Sequence, residues 1–197
     1  MTHPIFTKPR KVFGNKLIFR DAGVKDAAFI LALRTDEAKS AHLSRTENAI
    51  DQQIEWLNRY SIDAEQVYFI ILDWNLQAVG TVRLYDRQAD SFCWGSWILM
   101  AGTPSSYAIE SALLVYRFAL SLGFKRSHFD VRKANVSVWR FHERFGAVRT
   151  GETTDDFLYT VSKDAILASL AKYEKYLPDG CTIELTDSSR PRAQRRI

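Results

Sequence analysis

Cysteine is scarce: Cys93 and Cys181 are the two in a chain of 197 residues, and they lie far apart. That excludes a disulfide-stapled framework and the paired spacing of a zinc site, so no metal is expected and a reducing, cytoplasmic setting is the simpler one. No stretch approaches the roughly 18 consecutive apolar residues of a membrane span, so no membrane partner is expected. Met1 to Lys16 has neither a continuous apolar block nor a small-residue cleavage site, and does not read as a secretory leader. There is also no basic stripe interleaved with aromatics. The net charge of +4 owes much to Arg190, Arg192, Arg195 and Arg196, in the Ser, Pro and Gln context of a solvated tail, and no nucleic-acid partner is expected. A mildly basic body suits an anionic ligand instead.

What is present is a globular balance, 46% hydrophobic and 13% aromatic, over a length that suits one domain. The expected organisation is an N-terminal extension over 1–15, a domain over 16–177 and a basic tail over 178–197. Lys16 to Ala22 reads as an opening strand and Val24 to about Leu43 as a helix, with a second short helix over Asp51 to Tyr60 after the polar Thr46-Glu47-Asn48 cluster. Val67 to Trp74, Ala78 to Tyr85 and Ser91 to Met100 are rich in Val, Ile, Tyr, Phe and Trp between polar turns, the pattern of an antiparallel meander. A long amphipathic helix follows, with Thr103 as expected N-cap, Pro104 in the first helical position and Gly123 at its end; Ile109, Ala112, Leu113, Tyr116 and Leu120 form its apolar side. Then come a strand over Ser127 to Val131, a helix over Val136 to Phe145 stopped by Gly146, a strand over Phe157 to Val161 and a helix near Lys163 to Tyr173. This order predicts an α+β fold around one mixed sheet, with Trp97 to Met100 and His128 to Val131 running parallel.

The chemistry concentrates in two segments. The start of the long helix presents backbone N–H groups of Ser105, Ser106 and Tyr107, and two hydroxyls, to an anion; a plain helix start explains the same residues. The segment DVRKANVSVWRFHERFGA, Asp130 to Ala147, places Asn135 just beyond a strand and His142 two turns along the next helix. Together with SFCWGSWILMAGTPSSYAIESALLVYRFALSLGF, this resembles the acetyl-CoA site of the GNAT superfamily of acyl-CoA N-acyltransferases, and the resemblance spans roughly Lys16 to Val161. The branch it resembles contains ribosomal-protein and small-molecule N-acetyltransferases.

The resemblance implies a GNAT-like fold, its sheet splayed between the fourth and fifth strands, and direct attack of a primary amine on acetyl-CoA in a ternary complex. It implies that Ile98, Leu99 and Met100 align the pantetheine arm, that Ser105, Ser106, Tyr107 and Ala108 hold the pyrophosphate, and that Asn135 contacts the middle of the donor. His142 falls where such enzymes often place a Tyr that protonates the departing thiolate. An imidazole near its ordinary pKa suits that work, although Val138 and Phe145 on the same side of its helix also suit a packed histidine. Arg34, Trp94 and Trp97 fall near the acceptor groove. The two tryptophans are three apart and would face opposite sides of a regular strand. Aromatic stacking makes an aminosugar or nucleotide-linked aminosugar the preferred acceptor. Two departures stand out: Pro104 and Ser106 replace loop glycines, and Cys93 replaces the usual strand glutamate that receives the substrate's proton. A buried thiol there is expected to be a small hydrophobe, not a base. The competing readings are a protein-amine acetyltransferase of the ribosomal-protein type and a non-catalytic CoA-binding module. Homodimers are common among such enzymes, but the sequence shows no dimer seam.

Overall fold

A computed structural model describes residues 3–35 and 49–185. The end of the first expected helix, the Thr46-Glu47-Asn48 cluster and the Arg-rich tail lie outside the described residues. In chain order the elements are β1 (Pro9–Phe13), β2 (Leu17–Asp21), a 3-10 turn, α1 (Ala27–Thr35), α2 (Ile50–Ile62), β3 (Val67–Asp73), β4 (Ala78–Gln88), β5 (Ser91–Leu99) and α3 (Ser105–Ser121). They continue as β6 (Arg126–Arg132), α4 (Val136–Arg144), β7 (Val148–Glu152), β8 (Asp156–Val161), α5 (Lys163–Lys172), a second 3-10 turn and β9 (Thr182–Leu185).

One mixed sheet carries everything, in the order β7-β8-β6-β5-β4-β3-β2-β1-β9. The expected meander is present: β3 pairs antiparallel with β4, and β4 with β5. β3 is central and buried on both sides. Phe69 and Ile71 point into one core layer with α3, α4 and α5, while Tyr68, Ile70 and Leu72 point into another with Ile30 of α1 and Leu57 and Tyr60 of α2. This alternation, applied to a strand apolar at every position, makes a three-layer domain. Buried Glu110 ties α3 to the edge of β2, its Oε1 accepting from the backbone N–H of Lys16 at 2.7 Å and of Leu17 at 2.9 Å.

The sheet is wider than the sequence suggests. β1 and β9 pair with each other, and β1 with β2, so the sheet takes in Pro9–Phe13 and Thr182–Leu185, from the segments expected to flank the domain. These strands, and β7, are edge or near-edge strands with few buried side chains, and so carry little of the period-2 apolar signal. The expected splay between the fourth and fifth strands therefore lies between β5 and β6.

β5 and β6 run parallel but register at only two positions, Ser91 with Arg126 and Phe92 with Ser127. β5 then follows β4 as far as Leu99, while β6 turns away to pair with β8. The closed end is clasped by side chains. His128 Nδ1 lies 2.8 Å from Ser91 Oγ and its Nε2 3.0 Å from Asp86 Oδ2; Arg126 is paired with Asp90 at 2.7 Å. Although Ser91, His128 and Asp86 form a serine–histidine–carboxylate chain, Ser91 is buried and none of the three lines either of the two cavities described below, so they bind strands together instead of presenting a nucleophile.

Candidate active site

The wall of the opening is shaped by a bulge. Arg83 pairs with Gly95 and Thr81 with Ile98, which leaves Ser96 and Trp97 opposite Val82 alone. Ser96 adopts φ +46°, the left-handed conformation such an insertion needs. The extra residue cancels the alternation expected of Trp94 and Trp97, and both fall on the α3 side with ring centroids 5.4 Å apart. Trp97 Nε1 donates to Ser111 Oγ on α3 at 3.1 Å, and Trp94 packs edge-on against Tyr116. The expectation of opposite faces is corrected by this bulge.

Two cavities meet at it. A cleft of about 400 Å³ runs between the splayed strands, walled by Trp94, Gly95, Ser96 and Trp97 of β5, by Phe129 to Arg132 of β6, and by Asn135, Val138 and His142. A larger cavity of about 600 Å³ opens toward α1 and α2, between Gln52, Gln53, Glu55, Trp56 and Arg59 on one side and Tyr68 on the other. Arg34, Arg83 and Ser96 belong to both walls, so the bulge is the doorway between them. Of the expected acceptor residues, Arg34 sits at the doorway; Trp94 and Trp97 line the cleft alone.

The doorway is cationic and aromatic. The Arg83 guanidinium lies 4.6 Å from the ring centroid of Tyr85 and 5.2 Å from that of Trp56. Burial lowers its pKa, opposed by Tyr85 and Tyr68 and reinforced by neighbouring Arg34. Its Nε is buried without a hydrogen-bond partner. Arg34 Nη1 lies 3.4 Å from Ser96 Oγ. Glu55, the carboxylate among the described residues of the larger cavity's wall, is engaged with Arg59 at 2.5 Å.

His142 is 4% exposed in a box of rings, 4.2 Å from Phe129, 5.0 Å from Trp94 and 6.1 Å from Trp97, centroid to centroid. Burial pushes its pKa down to about 3, so the imidazole is neutral at physiological pH and not near its ordinary value. Nδ1 has no hydrogen-bond partner. A neutral ring offers one N–H and one lone pair to whatever enters the cleft. Cys93, beside the Tyr85 hydroxyl, has its thiol pushed up to about 12, mainly by burial, and is no base.

The α3 end differs by one residue from expectation. Pro104, with ψ 139°, is the N-cap, and the helix starts at Ser105 without a side-chain cap. Thr103 Oγ1 instead hydrogen-bonds the Met100 carbonyl at 2.9 Å. The first N–H groups, at Ser105 and Ser106, are left uncapped by any side chain, and Tyr107 N–H turns back to the Pro104 carbonyl at 2.9 Å. Ala108 continues the first turn. Gly102, with φ +80°, supplies the left-handed residue of this turn, although Pro104 and Ser106 stand at the expected glycine positions. Of the three residues expected along the pantetheine, Ile98 and Leu99 pair with Thr81 and Gly80 of β4, and Met100 N–H is taken by the Val79 carbonyl at 2.8 Å. Asn135 is the N-cap of α4; its Oδ1 accepts from Ser137 Oγ at 3.3 Å. Arg83, Tyr85, Trp56 and Asp130 line the site without having been singled out in the sequence. The available signal was Arg83 and Tyr85 alternating with apolar Val82 and Leu84 along β4.

A parallel pair that parts after two registered positions, above an uncapped helix start, is the architecture expected from the resemblance. The family model described as "Acetyltransferase (GNAT) domain" matches residues 16–148. The chain belongs to the GNAT acetyltransferase family. As a GNAT protein it is an acyl-CoA-dependent N-acetyltransferase. Among solved structures it is similar to apo FdhC, described as a nucleotide-linked sugar GNAT, at 34% identity and TM-score 0.75 over 89% of this chain and 99% of that one. It shares its fold with spermidine N-acetyltransferase from Vibrio cholerae in complex with CoA and spermine, at 17% identity and TM-score 0.69 over 77% and 98% of the two chains. A probable GNAT acetyltransferase from Chromobacterium violaceum matches at 15% identity and TM-score 0.71 over 84% and 92%. No curated protein matches the sequence. Among the described residues no helix is long and apolar enough to cross a membrane.

Proposed function

We propose that this GNAT enzyme transfers an acetyl group from acetyl-CoA to the primary amine of a nucleotide-linked aminosugar, with the donor in the cleft and the acceptor in the larger cavity. The observation that carries the acceptor reading is the doorway: Arg34 and Arg83 face both cavities, with Trp56 and Tyr68 alongside. Arginine and aromatic rings suit a nucleotide's phosphates and base; the same cations repel a polyamine and do not form the acidic groove that a basic protein terminus would need. The similarity to a nucleotide-linked sugar GNAT agrees.

In this reading the N–H groups of Ser105 and Ser106 take the donor's pyrophosphate, with Tyr107, its own N–H bonded to the Pro104 carbonyl, and Ala108 completing the turn. The pantetheine arm runs along β5 at Ile98, Leu99 and Met100, on the side from which β6 has parted. Asn135 meets the donor's middle. Neutral His142 directs an N–H at the sulfur, so the thiolate is hydrogen-bonded as it leaves. No covalent enzyme intermediate is needed.

Calorimetric titration with acetyl-CoA, followed by CoA-release assays with UDP-linked aminosugars, tests this. Micromolar donor binding and turnover are expected. Arg83→Ala should raise KM for the nucleotide-linked acceptor about tenfold or more, the scale of losing a charge-assisted contact, with acetyl-CoA affinity unchanged. An unchanged acceptor KM would remove Arg83 from the acceptor site, and no donor binding up to millimolar would sink the whole reading.

A further inference from the structure

An amine must lose a proton to attack a thioester, and the residues so far placed in the cleft cannot take it. Cys93 stands where the resemblance puts a glutamate and is a thiol held protonated by burial; His142 is a very weak base in its box of rings. Strand alternation supplies another group. Tyr85 pairs with Cys93 across β4 and β5, and Arg83 with Gly95, so Arg83, Tyr85 and Cys93 share the face that looks toward α2. On β6, Phe129 and Val131 are buried in the α3-side core, which turns Asp130 to that same acceptor-side face. Asp130 is exposed and is the one carboxylate among the described residues of the cleft wall. Its charge is felt by both Tyr85 and Cys93. It makes no side-chain hydrogen bond or ion pair with the described residues, unlike nearby Asp86, which engages His128, and Asp156, which engages Arg132.

We infer that Asp130 is the general base of the transfer, supplying from β6 the carboxylate that β5 lacks at Cys93. The inference rests on the acetyltransferase reading above. The acceptor enters as an ammonium. Asp130 takes one proton from it, directly or through one water; the freed nitrogen pair forms the C–N bond to the thioester carbonyl carbon, and the C–S bond breaks with its electrons on sulfur. The second nitrogen proton ends on the thiolate and Asp130 returns its own to solvent, so ammonium and thioester give amide, thiol and one released proton. The groups that face Asp130 are Arg83, Tyr85 and Asp86 from β4, Cys93 from β5, Arg34 from α1, Asp156 from β8, and His128 and Arg132 on its own strand. Burial keeps Cys93 and Tyr85 neutral, Asp86 is hydrogen-bonded to His128 at 3.0 Å, and Asp156 lies 3.4 Å from Arg132.

The test compares wild type, Asp130→Asn and Asp130→Glu in CoA release, using whichever of a panel of UDP- and dTDP-linked aminosugars and spermidine the wild type turns over best, with acetyl-CoA affinity measured by calorimetry. Asp130→Asn should lose about a hundredfold in kcat, within the range of general base catalysis. Acetyl-CoA affinity should stay unchanged, and the deficit should narrow as rising pH frees the amine in bulk solution. Asp130→Glu should recover part of the rate. Two outcomes overturn the assignment: kcat of Asp130→Asn within about twofold of an active wild type, or a loss that is equal at every pH and accompanied by weaker donor binding. If the wild type releases no CoA with any acceptor, the acetyltransferase reading itself fails, and the base assignment with it.

Discussion

His142 carries a cost in stability that its proposed role at the sulfur would offset. Its ring is walled by Phe129, Trp94 and Phe141, and Nδ1 is buried without a partner; leaving such a group unsatisfied costs about 1–3 kcal/mol. The pKa is lowered in the folded state to about 3, so the folded protein refuses a proton that the unfolded chain accepts below about pH 6.5. Stability from this site is therefore whole above pH 6.5 and falls by about 1.4 kcal/mol per pH unit below it, until the folded ring itself titrates. His142→Phe keeps the aromatic packing and removes both penalties. It should unfold at the same or higher denaturant concentration at pH 7, with the gap over wild type widening at pH 5, while turnover drops about tenfold or more. Equal acid sensitivity in the two proteins would contradict the buried, neutral ring, and unchanged turnover would remove His142 from the mechanism. The sequence placed His142 two turns beyond Asn135 on an amphipathic helix. It could not show the ring of aromatics, because Phe129 and Trp94 arrive from other strands.

At the scale of elements, β3, β4 and α3 were legible because each repeats its apolar pattern long enough to fix a period. The bulge in β5 was not. Ser96 is an ordinary strand residue by composition, and the break in alternation shows only when β5 is laid against β4. For the same reason nothing in the sequence singles out Arg83 and Asp130, which gain their neighbours Tyr85 and Cys93 only when the strands are laid side by side. The β4/β5 ladder at the open end also depends on Gly80. A Cβ there would come within 2.4 Å of the Ile98 carbonyl oxygen, a backbone atom that cannot swing aside. Gly80→Ala should push β4 off β5 beside the residues proposed to guide the pantetheine, at about 2 kcal/mol of stability and with weaker acetyl-CoA binding. Urea unfolding and calorimetry would measure both; a loss of stability with full donor affinity would show that β5 keeps its course without this contact.

Over the whole molecule, the splay is an opening with one hinge end held shut. The Ser91–His128–Asp86 chain and the Arg126–Asp90 pair bind β4, β5 and β6 where they converge, and the α3 helix spans the crossover between β5 and β6. Beyond that clasp the sheet contains two adjoining spaces whose common wall is positive, which fits an acyl donor on one side and an anionic acceptor on the other. The meander, the long helix and the Asn135 segment made the family readable. The acceptor chemistry was less so, because it depends on α1, α2 and β4 side chains that meet across the sheet. The most direct measurement is CoA release from acetyl-CoA by the purified protein with nucleotide-linked aminosugars and with spermidine in parallel. The account predicts turnover of a nucleotide-linked aminosugar, with spermidine slower by at least about tenfold in kcat/KM, the scale of repulsion by the doorway arginines. Preferential turnover of spermidine would contradict the anionic acceptor, and no release with any amine would contradict the enzyme.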